Sequence, residues 1–219
     1  MGSSHRVVRR PTSSAHSVQL FDEAESIGAG AAAFLLDGWR RGEPLLVVAR
    51  PERWLSVSQS LAANGCAVAP AMASGRLVVL NAAATVASLL EDGVPARHRF
   101  DARVGSLIGR FSERFGPRLR VYGEMVDILA AHGEFASAQV LEQFWNDLGR
   151  SCSFSLLCGY ASAHFSDPGA RHFLRDVCAA HSHAYAEPAD LLANWLLAGS
   201  PSRTAKTACF RPCSILKTA

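Results

Sequence analysis

Lysine is almost absent from this chain. The only two, Lys206 and Lys217, lie in a polar, proline-containing C-terminal stretch without hydrophobic periodicity. A phosphate loop needs Gly-x-x-x-x-Gly-Lys-Ser/Thr between a first strand and its helix. Here Asp22-Glu23-Ala24-Glu25-Ser26 holds that place, and its three carboxylates would repel a triphosphate. Conventional ATP hydrolysis is therefore not expected, nor is ATP as a cofactor. Apolar runs of about 18 residues are also missing, which argues against a membrane span, and no signal-peptide core follows Met1. The formal net charge is only +3, and no Lys/Arg stripe with interleaved aromatics occurs, so direct nucleic-acid binding is not expected. Cys66, Cys152, Cys158, Cys178, Cys209 and Cys213 form no small-domain disulfide framework. They read as reduced thiols of a cytoplasmic protein. A Gly-x-Ser-x-Gly nucleophile elbow is missing as well.

What remains is a chain of 219 residues, 49% hydrophobic and 19% charged, enough for one domain with a sizeable core. His16-Ser17-Val18-Gln19-Leu20-Phe21 alternates as a strand does. Asp22 with Glu25 makes a capping-box pattern, opening a helix with Ile27, Ala31, Phe34, Leu35 and Gly38 on one face. Residues 45–49 form a continuous apolar run, as in a strand covered on both faces. Pro51 opens a second helix whose inner face is expected to carry Trp54, Leu55, Val57, Ser58 and Leu61. A third strand follows at 77–80. A short helix through Leu89-Leu90, a polar link at 91–99 and an amphipathic helix at 100–115 come next.

Residues 119–123 read as a buried strand ending in Glu124, with a helix after it. A helix over 137–150 leads to a fifth strand at 154–158. Two C-terminal helices are expected, from Gly169 to about His183 and from Pro188 to about Leu197. This alternation predicts a three-layer α/β fold around a mainly parallel sheet of about five or more strands. Residues 1–15 read as a flexible lead-in, 16–198 as a single domain and 199–219 as a disordered tail.

Glu124 is placed where an open α/β sheet binds ligands, outside the carboxyl ends of its strands. It either takes a ligand's donor group or caps the following helix. Tyr160, just past the fifth strand, and His16, opening the first, are further crevice candidates. On a helix, Cys178 and His181 share a face one turn apart and, with His183, could meet one zinc or iron ion. His16, Glu124 or Cys158 would complete such a site if the fold brought them close. The alternative is a helix end that favours histidine, with a buried cysteine. His132, His164 and His172 have no evident partners in the sequence.

In order and spacing, 16–21, the segment Gly38-Trp39-Arg40-Arg41-Gly42-Glu43-Pro44, the segment Tyr122-Gly123-Glu124-Met125-Val126, the segment Leu157-Cys158-Gly159-Tyr160, and residues 178–183 resemble the MEDS domain. This is the methanogen/methylotroph sensory domain named after a dichloromethane-responsive regulator, and the likeness runs from about His16 to Leu197. The resemblance implies a degenerate RecA-like P-loop NTPase core without its phosphate loop, serving as a sensor of small molecules or redox state. It names no ligand. Because no stretch outside 16–197 is long enough for an output module, signalling is expected to pass through a protein partner such as a regulator, kinase or anti-sigma-type factor. The expected function is thus a non-catalytic sensory module of bacterial signal transduction. A protein-interaction module with a vestigial crevice and a metal-dependent enzyme are the competing readings.

Overall fold

A computed structural model describes residues 15–22, 24–167 and 169–187. In chain order the first elements are β1 (His16–Phe21), α1 (Ala24–Arg40), β2 (Leu45–Ala49), α2 (Pro51–Ala63), α3 (Val68–Ala73), β3 (Leu77–Asn81) and α4 (Ala82–Leu89). A small hairpin of β4 (Leu90–Glu91) and β5 (Val94–Pro95) follows. Its turn residues Asp92 and Gly93 both have positive φ, 51° and 82°, as a tight hairpin demands. Then come α5 (Arg97–Phe100), a π-helical turn (Asp101–Gly105), α6 (Ser106–Phe115), β6 (Arg120–Gly123), α7 (Met125–Ala131) and α8 (Phe135–Ser151). The described chain closes with β7 (Ser155–Ala161), a 3-10 turn, α9 (Arg171–Ala180) and β8 (His183–Glu187).

Six strands form one sheet in the order β3-β2-β6-β7-β1-β8, and every pairing in it is parallel. Parallel crossovers are right-handed, so the direction of each step decides which face its helix covers. From β1 to β2 to β3 the chain steps one way, and from β3 to β6, β7 and β8 it steps the other. Two separate cores follow. Leu45, Val47, Tyr122 and Leu157 pack against Ala31, Leu35, Val57 and Leu61 of α1 and α2. Their alternating neighbours Leu46, Val48, Val121 and Leu156 pack against α4 to α9, through Leu89, Ile108, Leu129, Trp145 and Leu174. The expected three-layer α/β fold is therefore present. Among the described residues no helix is long and apolar enough to cross a membrane.

Several expectations change. The helix expected to reach His183 stops at Ala180, because His181 is extended (φ −115°, ψ 147°) and leads into β8. That strand pairs with β1, Ser17 facing His183, a long-range contact that helical spacing in 178–183 does not reveal. The fifth strand runs on to Ala161, so Tyr160 lies inside it. Leu55 faces solvent, 59% exposed, because the inner stripe of α2 is Val57 and Leu61. The helix expected from Pro188 and the tail from 199 lie outside the described residues.

One buried cation fixes how α1 lies on the sheet. Arg120 in β6 is 1% exposed, and its guanidinium meets Glu43 at 2.9 Å, Asp37 at 3.2 Å and the Phe34 ring at 4.7 Å. Helix α1 crosses above it at Gly38, where a Cβ would stand 2.9 Å from the Arg120 side chain. The ion pairs prevent Arg120 from retreating. Gly38→Ala should therefore cost about 1–3 kcal/mol through overpacking, read as a lower urea midpoint. A midpoint equal to the wild type's would contradict this packing.

Candidate functional site

Strand β2 sends its chain to one face of the sheet and the adjacent β6 to the other. This reversal opens the crevice where such folds bind ligands. Glu124 stands there, 2% exposed, but its lone pairs are already engaged. The Arg50 backbone N–H donates to Oε2 at 2.9 Å and the Arg50 guanidinium at 3.4 Å. Arg53 Nε and the Tyr122 hydroxyl each donate to Oε1 at 2.8 Å. Four donors use the four acceptor positions of a carboxylate.

Asp127, in the first turn of α7, extends the network. It meets Arg50 at 2.7 Å, the Ala161 N–H at 2.7 Å and His164 Nε2 at 2.9 Å. Burial works against the Asp127 charge, but His164, the Ala161 N–H and Arg50 together hold its carboxyl below the usual range. His164, unassigned in the sequence, thus has its partner. Two carboxylates and two arginines close the crevice with the chain's own charges.

A second cluster lies beneath α8, on the larger-core face of the sheet. Its centre is Glu142, 1% exposed and carried on the inward stripe of α8 between Ala138 and Trp145. Tyr160 donates to Glu142 Oε1 at 2.9 Å. On Oε2 converge His16 Nε2 at 3.1 Å, His181 Nε2 at 3.3 Å and Cys158 Sγ at 3.6 Å. The four elements β1, β7, α8 and the α9–β8 junction each supply a group. The parallel pairings β7-β1-β8 bring these groups together from across the chain.

Burial opposes the Glu142 charge, but His181 and His16, when protonated and donating through Nε2, outweigh it and hold the carboxyl far below its ordinary value of 4.5. The Cys158 thiol and Tyr160 hydroxyl are pushed well up, first by burial and then by Glu142, so both stay protonated in this arrangement. Beside the cluster a cavity of about 400 Å³ lies between α8 and the α9–β8 junction, lined by His16, Asn146, Gly149, Phe154, Ala180 and Ser182.

The structure thus places the six sequence candidates in different surroundings. His16, Tyr160 and His181 come together. Cys178 is buried in the larger core outside the group whose ligand atoms all lie within 4.8 Å of one another. His183 is exposed on β8, its ring parallel to Tyr185. Glu124 belongs to the closed crevice. The extra members are Cys158, already weighed as a completing ligand, and Glu142, which sequence reading missed. A signal for Glu142 exists: a charged residue four positions after Ala138 and three before Trp145 falls on a core stripe.

A family model described as MEDS, the methanogen/methylotroph, DcmR sensory domain, matches residues 15–182. That span contains every member of the Glu142 cluster and ends one residue before His183. No curated protein matches the chain.

Two outcomes follow. Glu124→Ala should cost about 3 kcal/mol by stranding Arg50 and Arg53. A melting temperature unchanged from the wild type would contradict this. Glu142 has a depressed pKa in the folded state. Its stabilisation is present above the ordinary glutamate value of 4.5 and is lost as pH falls from there toward the folded value. Urea titrations from pH 7 down to pH 3 should show a stability decline that is shallower in Glu142→Gln, and parallel curves would contradict the assignment.

Proposed function

The chain belongs to the MEDS family of sensory domains, and on that premise we propose that it is a non-catalytic sensory module of bacterial signal transduction or transcriptional regulation. It senses a small molecule or a redox or metal state and signals through a protein partner, such as a regulator, kinase or anti-sigma-type factor. The RecA-like ancestry of its core, without a working phosphate loop, is part of the same proposal. The observation that carries it is the convergence of a carboxylate, two imidazoles, a thiol and a phenol in an otherwise apolar layer, beside a cavity. Ionisable groups gathered in this way are costly to bury and cluster at functional sites. They also join β1, β7, α8 and the α9–β8 junction, so a change at Glu142 reaches both the sheet and its helical cover.

A second reading has one observation in its favour. The self-closed Glu124 crevice suits an interaction module whose nucleotide site is vestigial. Thermal-shift measurements with divalent cations, thiol oxidants and small polar organic molecules separate the two. The sensory reading predicts that at least one class shifts the wild-type melting temperature, with the shift lost in Glu142→Gln. No shift with any class would favour the interaction module.

A further inference from the structure

We infer that His16, Glu142, Cys158 and His181 form a four-coordinate site for a zinc-class divalent cation. The argument begins with the second ring nitrogen of each histidine. Asn146 Nδ2 donates to the Ala180 carbonyl at 3.0 Å, which turns its Oδ1 toward His16. His16 Nδ1 lies 2.9 Å from that oxygen and must therefore carry the hydrogen. His181 Nδ1 lies 2.6 Å from the Val177 carbonyl, which can only accept, so it also carries hydrogen. In their neutral forms both imidazoles then present a bare Nε2 to the same place. Oxygens that accept from the remote ring nitrogen orient metal-binding histidines in this way.

What faces those lone pairs is another acceptor. Glu142 Oε2, ionised, lies 3.1 Å from one Nε2 and 3.3 Å from the other. His181 Nε2, on a side chain with no exposure, makes no hydrogen bond. Cys158 Sγ lies 3.3 Å from His16 Nε2 and 3.6 Å from Glu142 Oε2. With both imidazoles neutral, only the Cys158 S–H can donate among these groups, so two bare nitrogens and a carboxylate oxygen repel one another until a proton or a cation joins them.

The spacing indicates which species. Zinc bonds of about 2.0–2.1 Å to N or O and about 2.3 Å to S give tetrahedral ligand–ligand edges of roughly 3.3–3.6 Å. The four edges above run from 3.1 to 3.6 Å, and all ligand atoms lie within 4.8 Å of one another. Charge agrees as well. A divalent cation with one thiolate, one carboxylate and two neutral imidazoles sums to zero, which an apolar interior tolerates. Thiolate with imidazole selects zinc-like ions over magnesium or calcium. Binding converts the Cys158 thiol to a thiolate and releases its proton to solvent, so affinity should rise with pH.

The assignment deepens the sensory reading and rests on it only for what occupancy signals; cation binding itself is measured separately. Cobalt(II) serves as the probe, with the chelator-stripped full chain titrated under reducing conditions. One equivalent should bind, giving a thiolate-to-cobalt band in the near ultraviolet and intense visible bands of tetrahedral cobalt, and one equivalent of zinc should displace it. Cys158→Ser should lose the near-ultraviolet band. A variant keeping Cys158 while the other five cysteines are serine should retain it, which decides the point even if Cys158→Ser fails to fold. Asn146→Ala, removing only the orienting oxygen, should weaken cobalt binding by about 10–100-fold. Failure of the wild type to bind one equivalent, or loss of the band in the Cys158-only variant, would overturn the site. The sensory reading would then stand or fall on the organic molecules and oxidants of the thermal-shift panel.

Discussion

A carboxylate that is both ionised and 1% exposed must be answered by its surroundings, and Glu142 is answered from four directions. Stripping water from such a group costs several kcal/mol unless partners replace it. Those partners come from β1, from two alternate positions of β7 and from the turn between α9 and β8. The sheet order β7-β1-β8 brings them together, since His16 starts the strand between the other two. The larger core therefore has a polar hub within an apolar layer of Val18, Leu156, Trp145 and Val177. A hub of this kind ties the placement of α8 to the register of three strands.

The two ends of the sheet put charge to opposite uses. At the carboxyl ends Glu124 and Asp127 are matched by Arg50 and Arg53, and every acceptor position of Glu124 is filled from within the chain. That network locks the start of α2 to the end of β6. Beneath α8, with the imidazoles neutral, the excess is of acceptors, two bare nitrogens facing one carboxylate oxygen beside a cavity that adjoins His16. One arrangement is complete in itself. The other calls for a proton or a cation.

The fold was legible because its signals are local. Continuous apolar runs at 45–49 and 77–80 and the helical stripes of α1 and α8 announce parallel strands and their covers. Strand β8 was hidden, since its pairing with β1 joins residues far apart in sequence and its short segment continues a helical spacing. The site was legible in part for the same reason. His16, Tyr160, Cys158 and His181 stood out as chemistry-bearing types, but which of them meet depends on strand order. Glu142 was overlooked because a glutamate on an amphipathic helix ordinarily faces solvent, whereas the buried stripe of α8 runs through Ala138, Leu141, Glu142, Trp145 and Leu148. Glu124 drew attention by its position at a strand end, while Arg50 and Arg53, which engage it, come from a helix start with no motif.

The most direct measurement is the tautomeric and coordination state of the two histidines. Two-bond proton–nitrogen correlation spectra of the zinc-loaded, ¹⁵N-labelled protein at neutral pH read it, with His16→Gln and His181→Gln spectra providing assignment. The account predicts hydrogen on Nδ1 of both rings and a metal-shifted Nε2 on both. Hydrogen on Nε2 of either ring in the zinc-loaded protein would contradict it, because that nitrogen could not then face Glu142 as a ligand.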